Sequence, residues 1–128
     1  MLNRADYLNA VSHLKNTLSK FKPGDKIYDQ IVPEQRLVLT KYQPVFCSNN
    51  ISALSQEDYI SFLSFKNNCH WTGLERKGRN AAREIEVLRN ALSILLNENI
   101  PIQERIEKST KMVMGMGKAI ATSILLVA

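Results

Sequence analysis

Residues 81–96 read AAREIEVLRNALSILL, and this stretch decides the fold class. Ala81, Ala82, Ile85, Leu88, Leu92, Leu95 and Leu96 recur at three- and four-residue steps, while Arg83, Glu84, Glu86, Arg89 and Asn90 fall largely off that stripe. Such spacing marks a helix buried along one side. It predicts one long amphipathic helix, stopped by the NENIP run that ends at Pro101.

Similar periodicity extends in both directions. Tyr7, Leu8, Val11, Leu14, Leu18 and Phe21 define one face of a helix over 4–21, broken by KPGD at 22–25. Ile27, Tyr28, Ile31 and Val32 suggest a short helical turn ending at Pro33, whose fixed φ suits the first position of a new helix reaching Tyr42. Pro44 closes that helix, because the residue before a proline avoids helical geometry. Ser55 and Asp58 resemble a capping box, with the shorter acid in place of glutamate, ahead of Tyr59, Ile60, Phe62, Leu63 and Phe65. After Pro101, Ile102 and Ile106 suit a short helix, and no two-residue alternation indicates a strand. The expectation is all-α: a compact bundle of about six helices in a single domain, 1–128, with Leu14, Phe62, Leu88, Leu92, Leu95 and Ile124 in one core.

At 128 residues the chain is one domain long, and a chain of this size buries roughly two-thirds of its unfolded surface. Two cysteines, Cys47 and Cys69, make no disulfide framework, and the first residues already follow an amphipathic pattern in place of a secretory leader. A cytoplasmic location is expected. The longest uncharged apolar run, 119–128, would cover about half a bilayer as a helix, so no membrane anchor is expected.

The net charge of +5 is unevenly placed. Lys66, Arg76, Lys77, Arg79 and Arg83 stand against one acid, Glu75, between 66 and 83. A second set, Arg105, Lys108, Lys111 and Lys118, brackets a glycine pair and is diluted by Glu104 and Glu107. Concentrated surplus of this kind fits either a solvated basic face or an acidic partner such as nucleic acid.

The glycine pair lies in MVMGMGKAIATSILLVA, residues 112–128. Gly115 and Gly117 flank Met116, Ala121 follows four residues after the second glycine, and Ile124 and Leu125 continue the helix. Glycines here let the chain turn tightly and bare its N–H groups at a helix start, where the dipole favours an anion. Met116 would point inward, Ala121 would permit close helix approach, and Lys118 could add a charge-assisted contact to the same phosphate. From 102 to 125 this pattern resembles the helix-hairpin-helix motif. The resemblance implies a grip on the DNA backbone without base reading, with a monovalent cation as the one conceivable cofactor at the hairpin. It points to Gly115, Gly117, Lys118 and Lys111, with Arg76, Lys77, Arg79 and Arg83 as the accompanying basic patch. The alternative is a helix C-cap and close helix contact with no ligand.

Enzymes with this hairpin include the base-excision glycosylases, which need a catalytic aspartate well downstream of it. Eleven residues follow Gly117 and none is acidic. Lyase-active members carry a lysine two positions after the second glycine, where this chain has Ala119. No catalytic residue is therefore assigned.

Cys69 and His70 are adjacent, so their side chains diverge, and a zinc site needs about four converging ligands; no metal site is assigned. Trp71 is read as a core anchor or, flanked by Asn67, Asn68, Arg76 and Lys77, as a stacking platform for an unpaired base. The block FLSFKNNCHWTGLERKG, residues 62–78, resembles a segment of uncharacterised bacterial proteins from restriction and phage-defence settings, whose chains usually continue past the hairpin.

Ile120, Ile124, Leu125 and Val127 make the last helix apolar nearly all round, and isologous pairing with a second copy is the commonest cover for such a face. A homodimer through this helix is expected. Three readings follow: a non-enzymatic module that contacts DNA phosphates, a helical protein–protein interaction or regulatory subunit of a defence or mobile-element system with a purely structural hairpin, or part of an enzyme whose catalytic half lies elsewhere.

Overall fold

The computed structural model describes residues 3–64 and 74–128. Among them every regular element is helical: α1 (Arg4–Lys20), α2 (Lys26–Tyr42), a 3-10 turn (Ile51–Ala53), α3 (Gln56–Leu63), α4 (Leu74–Ala81), α5 (Ile85–Leu95), α6 (Ile102–Met112) and α7 (Lys118–Val127). The fold class is all-α, as the periodicity implies. The chain divides into two compact units, 1–37 and 38–128, with the boundary inside α2.

The first unit is a pair of helices started by side-chain caps. Asn3 Oδ1 accepts from the Asp6 amide at 2.9 Å, and Asp25 Oδ1 accepts from the Ile27 and Tyr28 amides at 2.9 and 3.3 Å. Phe21 meets Tyr28 edge-on at 4.8 Å between ring centroids across the turn. Helix α2 runs unbroken through Pro33. The predicted break at this proline does not occur, since the ring costs one intrahelical bond, to the Asp29 carbonyl, and both residues are exposed so that water can take it. Nor does Leu14 join a core: it is 57% exposed, and α1 has no buried residue.

The second unit holds the core. Phe62, Leu88, Leu92, Leu95 and Ile124 are each completely buried, together with Tyr42, Phe46, Ile51, Leu54 and Tyr59. Phe62 stacks edge-on with Tyr42 and Phe46 at 5.1 and 4.8 Å, and the Tyr42 hydroxyl reaches Ser61 Oγ at 2.6 Å. Ser55 caps α3 by accepting from the Asp58 amide at 3.0 Å, the bond expected of a capping box.

The predicted long helix over 81–96 is two helices. The chain leaves α4 at Ala81 and re-enters α5 at Ile85, because Gln56 Nε2 donates to the carbonyls of Ala82 and Arg83 at 2.8 and 3.3 Å and so satisfies the end of α4. Arg89 ties α5 back to the preceding loop through Nε and Nη2, both donating to the Leu54 carbonyl, while its Nη1 pairs with Glu86. Ala81 therefore closes α4 and Ala82 lies just past it, both buried in the core that Leu88 joins from α5. At Gly78 α4 approaches α3 so closely that a β-carbon would stand 2.6 Å from Leu63 Cδ1.

Candidate nucleic-acid interface

Helices α6 and α7 form the hairpin that carries the glycine pair. Ser109 of α6 and Ala121 of α7 are completely buried, which gives the two helices small side chains where they approach. Met116 is 2% exposed and points inward, and its amide donates to the Val113 carbonyl at 3.2 Å to close the turn.

The two glycines differ in what they do. Gly115 has φ +91°, a left-handed conformation that L side chains resist. A β-carbon there would also stand 3.0 Å from the Lys77 carbonyl oxygen and 3.4 Å from Asn80 Cβ. Gly115 is thus the turn residue, and it seats the hairpin directly on the backbone of α4. Gly117 has φ −90° and ψ −177°, extended backbone open to any residue, with no atom within 4 Å of where a β-carbon would lie. The expectation that both glycines serve the turn is corrected here: one suffices.

Gly117 is the N-cap of α7, a position that favours Ser, Thr, Asp or Asn, and no side chain caps this helix. The amides of Lys118 and Ala119, the first two residues of α7, precede the first intrahelical donor and sit at exposed residues. Lys118 itself is exposed, and Lys111 is exposed at the end of α6.

Contact at Gly115 sorts the predicted basic patch. On α4, the Lys77 carbonyl, Asn80 Cβ and the Ala81 amide nitrogen are the atoms nearest a β-carbon at Gly115. Arg76 and Lys77 are both exposed. Arg79, three positions after Arg76, pairs with Glu75 at 3.5 Å. Arg83 lies past the end of α4, exposed in side chain and with its carbonyl held by Gln56. Of the nearby cations on α6, Lys108 is paired with Glu104 at 2.6 Å, and Arg105 donates through Nη1 to the Leu95 carbonyl at 3.2 Å. Of the predicted phosphate-binding cations, those exposed with no ion pair among the described residues are Arg76, Lys77, Arg83, Lys111 and Lys118, of which Lys118 opens α7.

Trp71, Cys69 and His70 fall outside the described residues. Sequence reading missed the contact between Gly115 and α4. The signal for it was weak: a glycine at 78 and alanines at 81 and 82 inside a basic helix hint at close approach without saying to what.

The apolar terminal helix finds its cover at home. Ile120, Ala121, Ser123, Ile124 and Val127 are all buried within the second unit, leaving Leu126, 70% exposed, as the one large apolar side chain of α7 fully open to solvent. A homodimer through α7 would rest on Leu126. No described helix is long and apolar enough to cross a membrane.

No protein-family model, no curated protein and no solved structure matches this chain.

Proposed function

We propose that the second unit is a non-enzymatic nucleic-acid-binding module that holds a backbone phosphate at the start of α7. The observation that carries this reading is Gly117. Neither backbone conformation nor packing requires a glycine there, and a capping side chain would stabilise α7, so its bareness has a use only if something else must approach the amides. Lys118 on the same turn, with Lys77 on the helix whose backbone Gly115 meets, supplies the positive field an oxyanion seeks. Contacts of this type position a protein on nucleic acid and carry little sequence information.

Fluorescence anisotropy with labelled duplexes of unrelated sequence tests the proposal. Wild-type protein should bind all of them alike, with Kd in the roughly 10⁻⁴ to 10⁻⁶ M range at physiological salt and tighter below it. Lys118→Ala should weaken each duplex equally and lower the slope of log affinity against log salt by about 1. Gly117→Glu should remove binding while leaving thermal stability intact, because position 117 has room for a side chain. Gly117→Glu protein that binds like wild type would overturn the reading and leave the hairpin purely structural.

A further inference from the structure

The turn between α6 and α7 holds an apolar side chain that no packing uses. The Met116 amide donates to the Val113 carbonyl at 3.2 Å, Gly115 takes φ +91°, and Met114 keeps a negative φ, as does every non-glycine residue among those described. This is a type II turn with Met114 in its second position, which proline or a polar residue fills as readily. Val113 and Met116 are buried on either side, whereas Met114 is 90% exposed, the most open large apolar side chain among the described residues. Nothing in the second unit covers it.

A single apolar side chain on a surface is ordinary. What distinguishes Met114 is its place between cations and beside a bare helix start. Lys111 in the last turn of α6 and Lys118 at the head of α7 are both exposed, and no Asp or Glu follows Glu107 in the sequence. Met114 and Lys118 are four residues apart, so their α-carbons lie within about 14 Å of each other. A B-DNA groove is roughly 6 Å wide on the minor side and 12 Å on the major side. With a phosphate on the amides of Lys118 and Ala119, the tip of the turn is therefore within reach of the groove beside that phosphate.

The side chain suits such a place. An unbranched thioether has three rotatable bonds and a polarisable end, so it adapts to base steps of any sequence. Inserted wedges of this chemistry part stacked base pairs and kink the duplex. A bilayer would ask for more: around the tip only Met112, 39% exposed, adds a large apolar side chain, too little for the broad face by which proteins enter lipid.

We propose, resting on the phosphate site at the start of α7, that Met114 is a wedge that enters a base step of duplex DNA beside the gripped phosphate. Grip and wedge are separable, because one acts through charge and backbone amides and the other through an apolar side chain.

The experiment uses the full chain and short duplexes in which 2-aminopurine, whose fluorescence rises when it is unstacked, replaces adenine; a terminal dye reports binding by anisotropy. Wild-type protein at saturation should raise the 2-aminopurine signal. Met114→Ala should lose that rise, bind about fourfold more weakly, the worth of one buried methylene, and keep the wild-type salt slope, since no charge has changed. Its melting temperature should equal that of wild type, because Met114 packs against nothing in its unit. Met114→Leu, still an apolar wedge, should retain the rise, as should Lys118→Ala compared at saturation. Duplex binding without a rise, or a Met114→Ala protein that raises the signal as wild type does, overturns the wedge and leaves the phosphate site standing. If no duplex binds even at low salt, both fall together. Met114-dependent pelleting with phosphatidylserine vesicles in place of unstacking would also overturn the wedge, and assign the tip to a lipid surface.

Discussion

Helices α1 and α5 follow the same apolar rhythm and meet opposite fates. Seventeen residues of α1 include none that is buried, whereas eleven residues of α5 include Leu88, Ala91, Leu92 and Leu95, each inaccessible to solvent. Spacing alone does not separate Leu14 from Leu92. What separates them is supply: α5 is met by α6 and by the turn at Ile51–Ala53, while the first unit buries no residue of α1. Periodicity reports that a helix has a face to bury and leaves open whether the chain itself provides the cover.

The widest test of this contrast is truncation at both sites. Leu92→Ala should cost about 2–5 kcal/mol in denaturant unfolding, for lost transfer energy and the cavity left behind. Leu14→Ala should stay within about 0.5 kcal/mol, as expected of an exposed position in a good helix former. Equal losses would mean that α1 is part of the cooperative core, and the distinction between the two units would fall.

The glycine pair offers the same contrast on a smaller scale. Gly115→Ala forces a left-handed φ onto an L residue and presses a methyl group toward the Lys77 carbonyl, so about 1–3 kcal/mol should be lost. Gly117→Ala, in extended backbone with free space, should cost less than about 1 kcal/mol, the preference of an N-cap for glycine over alanine. Thermal melts of the two variants measure both. Comparable destabilisation would give Gly117 a structural role and remove the observation on which phosphate binding rests.

The smallest expected effect lies at Tyr59. Among the described residues its buried hydroxyl has no hydrogen-bond partner, and burial pushes its pKa well above the ordinary 10.0. Because the folded pKa is raised, the neutral phenol's contribution is fully present below pH 10 and is lost as pH rises above it. Tyr59→Phe should be neutral or stabilising by up to about 1 kcal/mol, since it removes an unsatisfied polar group from the core. It should also flatten the loss of stability in alkali. A destabilised Tyr59→Phe protein would mean that the hydroxyl has a partner, and that the core around α3 is wetter than the one described.

Much of the candidate site was legible in residues 112–128. A Gly-x-Gly pair before an apolar helix, with a small residue at 121 and an inward Met116, needs only local chemistry to be recognised, and the burial of both side chains follows from it. The partition of the basic residues was not legible. Arg76, Lys77, Arg79 and Arg83 look alike in a row of cations, and only the folded chain shows Gly115 meeting α4 at Lys77 and Arg79 paired with Glu75.

By itself the sequence determined the all-helical class, the starts of α1, α3 and α6, the turn at 22–25 and the closely approaching hairpin, because caps, proline geometry and 3.6-residue periodicity act within a few residues of one another. Tertiary structure alone decided that α2 passes through Pro33, that Gln56 ends α4 and divides the stripe at 82–84, that α7 is covered by its own unit, and that α1 is not. Those outcomes depend on which distant group arrives to satisfy a carbonyl or cover a methyl. No local pattern contains that information, because the partner is set by how the whole chain closes on itself.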